Sequence, residues 1–164
     1  LGGTGQPAGP NWPKLTSDWM VANPLIGSFG ASDHKTVVAL TRSGRILAYR
    51  TAAPACSPGS WPRFHHDNAN SGFYGRDAIP PGKPTGVSVS GDALTFTGVG
   101  DDLLCGTPAR YEIVDGSSVA RANAGPAGSR QRIALPPGHG RVVRLRAVDD
   151  AGNPGPAVVV ETRP

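Results

Sequence analysis

The sequence predicts an all-β chain in two parts, a short antiparallel sheet followed by a small β-sandwich. Three observations carry this expectation. Apolar residues come in short runs rich in Val, Ile and Leu, punctuated by 23 glycines and 17 prolines among 164 residues, the pattern of short strands and frequent turns. No stretch holds a 3.6-residue apolar period over ten or more positions. The composition also shifts at Trp61-Pro62-Arg63-Phe64-His65-His66-Asp67-Asn68-Ala69-Asn70-Ser71-Gly72, the segment richest in aromatic and histidine chemistry. That segment reads as a joint.

In chain order, residues 1–10 form a Gly/Pro lead-in. Trp12-Pro13-Lys14-Leu15-Thr16-Ser17-Asp18 is a weaker copy of the joint, and both copies fit W-P-[KR]-[LF]-x-x-D. Pro24-Leu25-Ile26-Gly27 is a short apolar strand. Lys35 to Thr41 is a β-branched run, Arg42-Ser43-Gly44-Arg45 a turn, and Arg45 to Arg50 the returning strand, so residues 36–50 make a hairpin. Three antiparallel strands closed by a second Trp-Pro copy have the spacing of a propeller blade. Residues 73–86 hold Pro80, Pro81 and Pro84 and are expected to be an extended linker. Beyond it, Val87 and Val89 alternate with Ser88 and Ser90, and Leu94 and Phe96 with Thr95 and Thr97. Further strands are expected at 110–114, 133–135, 142–148 and 157–161, a spacing that fits a small sandwich. The expected boundaries are 1–72 for the blade and closing segment, 73–86 for the linker and 87–164 for the sandwich.

Ala22-Asn23-Pro24-Leu25-Ile26-Gly27-Ser28-Phe29-Gly30, followed by Thr36-Val37-Val38-Ala39-Leu40-Thr41-Arg42-Ser43-Gly44-Arg45-Ile46-Leu47-Ala48-Tyr49, resembles a blade of the FG-GAP/PQQ-like β-propeller repeats over residues 12–72. Trp61, Phe64, Asp67 and Gly72 are similar to the segment at which such propellers start or close. The resemblance implies a repeat protein. Calcium loops are frequent in FG-GAP blades, but here Gly27 to His34 carries a single acid, Asp33, too few oxygens for Ca²⁺, so no calcium is expected there. Pro84-Thr85-Gly86-Val87, Leu94-Thr95-Phe96, Ala109 to Ile113 and Arg144-Leu145-Arg146-Ala147-Val148-Asp149-Asp150-Ala151-Gly152-Asn153 resemble fibronectin type III domains. The resemblance implies an Ig/fibronectin III-like sandwich, with Phe96 where a Trp is usual.

The two cysteines, Cys56 and Cys105, fall in loops. A bridge between them closes a loop of about fifty residues, worth ~3–4 kcal/mol in lost chain entropy, and fits an oxidising compartment. The net charge is +4, but the basic residues are scattered. Arg144 and Arg146 fall on the polar face of a strand, so nucleic acid is not expected as a partner. No apolar run reaches about 18 residues, so no membrane-spanning helix is expected. The chain opens on Leu1, without an initiating Met or a basic-then-apolar signal, and reads as the C-terminal piece of something longer.

His65, His66 and Asp67 are the natural candidates for metal binding or acid–base work. On an extended segment, adjacent side chains point opposite ways, and His34 and His139 stand alone. The histidines are therefore weighed as ligand or metal candidates beside a structural role for Trp61, Phe64 and Asp67. Those three are read as the fastening of the joint, the rings pinning it to a sheet and Asp67 and Asn68 capping turn amides. Asp101-Asp102 and Asp149-Asp150 read as turn chemistry rather than Ca²⁺ ligands. There is no nucleophile elbow, and Gly2-Gly3-Thr4-Gly5 is not followed by the Lys of a phosphate loop. No Asn-x-Ser/Thr sequon occurs around Asn68. Trp61, Phe73 and Tyr74 form an aromatic cluster able to stack on sugars or peptides.

The expected function is therefore a non-catalytic structural, spacer or adhesion module of a secreted or surface-exposed protein. No cofactor, resident metal or catalytic residue is expected. Its expected partners are upstream blades of the same polypeptide or other copies of the chain, with a protein or carbohydrate ligand. The competing reading is the accessory tail of a secreted hydrolase, such as a peptidase, whose catalytic residues lie upstream.

Overall fold

In the computed structural model, residues 6–7, 9, 11–29, 33–57, 61–67 and 69–162 are described. Most of the lead-in, the Gly2–Gly5 stretch, residues 30–32 of the loop weighed for calcium, and Asn68 lie outside them. The described chain is all-β, with ten strands in three antiparallel sheets, none closed. It divides into two compact units, Leu1–Tyr74 and Gly75–Pro164.

The first unit holds β1 (Leu25–Gly27), β2 (His34–Leu40) and β3 (Ile46–Pro54) in the order β1-β2-β3. The β2–β3 hairpin pairs Leu40 with Ile46 and Val38 with Ala48, and Gly44 takes the left-handed φ of 79° that its turn requires. A bridge between Met20 and Thr41 continues the β1 side of the sheet towards the first Trp-Pro copy. That copy packs on β3: Trp12 meets Tyr49 edge-on at 6.4 Å, and the Tyr49 hydroxyl donates to the Leu15 carbonyl. Ala39 is the one fully buried apolar residue among the described part of this unit. Leu15, Trp19 and Ile46 are 84%, 82% and 74% exposed.

The second unit holds β4 (Thr85–Ser90), β5 (Ala93–Thr97), β6 (Arg110–Asp115), β7 (Ser118–Asn123), β8 (Arg130–Ala134), β9 (Val142–Val148) and β10 (Val158–Glu161). One sheet runs β4-β5-β8, the other β10-β9-β6-β7. Alternation explains what each strand buries. Leu94 and Phe96 from the first sheet join Tyr111, Ile113, Val143, Leu145, Ala147 and Val160 from the second in one apolar cluster. Phe96 and Tyr111 meet edge-on at 4.8 Å, and the buried Tyr111 hydroxyl accepts the Val99 amide at 2.9 Å.

The segment read as a linker is packed in part. Pro81 is fully buried and bridges to Leu103, while the Gly82 amide donates to the Leu103 carbonyl. A Cβ on Gly82 would lie 2.4 Å from that carbonyl oxygen, so this close approach needs glycine. β7 is a strand beyond those the sequence predicts. Its cue is Gly116-Ser117, a two-residue Gly-Ser hairpin turn, with Gly116 at φ 57° and Asp115 paired to Ser118.

Candidate functional site

The joint is a self-bonded loop. The His66 amide donates to the Arg63 carbonyl, and the Asp67 and Gly72 amides both donate to the His65 carbonyl. Asp67 is buried and accepts the Ser71 amide at 3.1 Å and the Ser71 hydroxyl at 2.5 Å. Asp67 thus caps a turn from inside it. The two tryptophan copies share a backbone feature. Ser17 and His66, each just before the repeated Asp, have left-handed φ values of 58° and 73°. Asp18, like Asp67, accepts main-chain amides, those of Trp19 and Ser43. Hydrogen bonds from the Ser43 side chain and from the Trp19 and Ser43 amides hold the Asp18 carboxyl below its ordinary pKa.

The rings of the joint stand otherwise than expected. Trp61 and Phe64 are about half exposed, and the contact with the sheet is made by main chain, the Ile26 amide donating to the Pro62 carbonyl at 2.8 Å. His65 and His66 are not on an extended segment; both are left-handed. Their rings go to different partners: His65 packs on Phe64 at 4.0 Å, and His66 lies between Trp61 at 5.2 Å and Tyr74 at 6.2 Å. His66 Nδ1 is buried, 4.0 Å from an Asp67 oxygen, and makes no hydrogen bond among the described residues. Phe73 and Tyr74 are well exposed. The arrangement uses the histidines as packing elements beneath an outward aromatic surface. Asp33, in the loop weighed for calcium, is held by Arg50 and His34 at 2.6 and 2.7 Å.

Both cysteines are oxidised, and Cys56–Cys105 is a disulfide. This is consistent with an extracellular location.

In the second unit the acidic turns do more than turn chemistry. Asp149 is buried, and its two oxygens accept the Asn153 amide and side-chain N–H at 2.6 and 2.8 Å. Asp77, Asp149 and Asp150 bring carboxylate oxygens within 4.8 Å of one another. Burial raises the Asp101 pKa, and the negative charges of Asp150, Asp102, Asp149 and Asp77 raise it further. These all-oxygen donors are the residues able to hold a hard divalent cation. Asp77 carries no signal in the sequence, because only the fold brings it to residues 149–150.

The remaining charged cluster lies on the sheet β10-β9-β6-β7. Glu112 is buried and accepts from Arg110 Nε at 2.9 Å, from Arg121 Nε at 3.4 Å and from Arg146 Nε and Nη2 at 3.0 and 2.7 Å. Burial pushes its pKa up, but the bonds from Arg146 and Arg110 outweigh this and hold it below the ordinary value.

No family, curated protein or solved structure matches the chain. Among the described residues no helix is long and apolar enough to cross a membrane.

Proposed function

We propose that the chain is a non-catalytic structural and adhesion module of a secreted or surface-exposed protein. Residues 1–74 serve as a propeller-like blade of the FG-GAP/PQQ-like type, and residues 75–164 as a fibronectin type III-like sandwich. One observation carries the reading: the first unit is a three-stranded sheet with Ala39 as its single fully buried apolar residue among those described, while Leu15, Trp19 and Ile46 face solvent. A sheet needs an apolar face covered to be stable, so this one is a part awaiting neighbours. The Trp-Pro copies support the same reading. One sits against β3, the other meets the outer edge of β1 through Pro62, and both place a left-handed residue before an amide-capping Asp. In the second unit, support comes from the core shared by two sheets and from the Tyr111 hydroxyl held by the Val99 amide.

The use of His65 and His66 as ring-packing elements favours binding over catalysis. The outward aromatic rings, Trp61, Phe64, Phe73 and Tyr74, offer a surface for a protein or carbohydrate partner. The test is the isolated segment 1–74, followed by circular dichroism melting and light scattering. The expected result is self-association or the absence of a cooperative melt. A monomer with a cooperative melt overturns the blade reading.

A further inference from the structure

The face of the sheet β10-β9-β6-β7 opposite the apolar cluster is a cationic surface, and register defines it. Directly paired residues share a face, so Arg121, Glu112 and Arg146 form one row across β7, β6 and β9. Arg110 lies two residues before Glu112 on β6. Arg144 lies two before Arg146 and is paired with Val114 and Val159. The face therefore carries four arginines against two acids, Glu112 and Glu161.

Glu112 consumes little of this donor capacity. Each guanidinium has five N–H donors, yet Arg110 and Arg121 each engage Glu112 through Nε alone. Their terminal NH₂ groups make no hydrogen bond among the described residues. Arg144 is exposed and has no ion-pair partner among them. Glu112 acts as a buried clamp that orders three guanidiniums and leaves a surplus of positive charge above it. Val119, Val142 and Val159 are exposed beside them, so the cationic groups stand on an apolar floor.

We propose that this face binds a linear polyuronate, a carboxylate-bearing polysaccharide. Arg110, Arg121, Arg144 and Arg146 would take its carboxylates, and the exposed valines the C–H faces of its sugar rings. Three observations select this occupant. The guanidinium fork suits a carboxylate, and the face already holds one, with Arg146 Nε and Nη2 both donating to a single Glu112 oxygen. Arg121 and Arg146 stand two strands apart, roughly 9.6 Å at the backbone, a spacing suited to an extended chain with repeating charge. The face carries no aromatic ring among its described residues, so it lacks the stacking platform that single-stranded nucleic acid uses. The proposal goes beyond the module reading and concerns the second unit alone, so it stands or falls independently of the blade assignment.

The test uses the full chain and polygalacturonate as probe, with Kd measured by calorimetry at several salt concentrations. The charge-reversal pair Arg121→Glu/Arg144→Glu is compared with Arg130→Glu/Arg132→Glu on the other sheet, which changes net charge equally. The expected result is saturable binding at about 0.15 M salt. The first pair should raise Kd at least tenfold and flatten the dependence of log K on log salt by about two, one per lost contact, while the second pair stays within twofold. Hydrogen exchange on the unmodified chain gives a variant-free readout, with polygalacturonate protecting β6, β7 and β9 over β5 and β8. No binding at that salt, equal loss in both pairs, or protection elsewhere overturns the proposal. So does tighter binding of single-stranded DNA or polyglutamate at equal charge concentration.

Discussion

Replacing Glu112 with Gln keeps its shape and removes its charge. In the folded chain Glu112 accepts four hydrogen bonds from three arginines. Charge-assisted bonds contribute ~1.5–3 kcal/mol each. The arginine side chains, however, are one-third to two-thirds exposed and stay solvated, so the whole set is worth about 2 kcal/mol. For a unit of this size that lowers Tm by roughly 10 °C. The sign with pH follows from the depressed pKa of Glu112. Its contribution is fully present above the unfolded carboxyl value, near 4.5, and is lost as pH falls through the lower folded value. The gap between wild type and Glu112→Gln should therefore be widest at neutral pH and close in acid. Far-UV circular dichroism follows the melt, and near-UV signal from Tyr111, the single tyrosine of the second unit, assigns it. Tryptophan fluorescence reads the first unit separately, since Trp12, Trp19 and Trp61 all lie there. A gap that stays constant into acid would show that shape rather than charge matters, and no gap at pH 7 would refute the clamp.

Asp101→Asn should stabilise the second unit at neutral pH by the order of 1 kcal/mol. The raised Asp101 pKa means that folding loses stability as pH climbs from the unfolded value through the folded one, so the gain should vanish in acid; thermal melts check both. Tyr111→Phe leaves the Val99 amide buried without its partner and should cost about 1–3 kcal/mol in urea unfolding. Gly100→Ala would drive a Cβ into the Cys105 backbone and should cost several kcal/mol, read as loss of the cooperative melt. For Cys56–Cys105, intact mass in denaturant should rise by two hydrogens on reduction, and reduction should destabilise the chain by about 4 kcal/mol.

Strand content was legible where a period of two pairs with burial, as at Leu94 and Phe96 or at Val143, Leu145 and Ala147. β7 was hidden because Ser118-Val119-Ala120-Arg121-Ala122-Asn123 has little β-branched content and owes its place to the Gly116-Ser117 turn and to β6. The Asp67 cap was readable because Asp in a turn bonds nearby amides. The left-handed pair His65 and His66 was not, since no glycine marks it. Long-range groupings were also invisible. Glu112 meets Arg121 and Arg146 only through strand register, and Asp77 meets Asp149 only through the fold. The thin core of the first unit was masked as well: its strands are as apolar in sequence as those of the second, and only side-chain exposure separates them.

Hydrogen exchange on the full chain, read strand by strand, tests most directly whether the first unit is an uncompleted sheet. Protection follows buried, cooperative packing. Amides in β1, β2 and β3 should exchange orders of magnitude faster than those of β5, β6 and β9 at neutral pH, with the outward-facing amides of β3 among the fastest. Equal protection in both units would contradict the account and make residues 1–74 a self-sufficient domain.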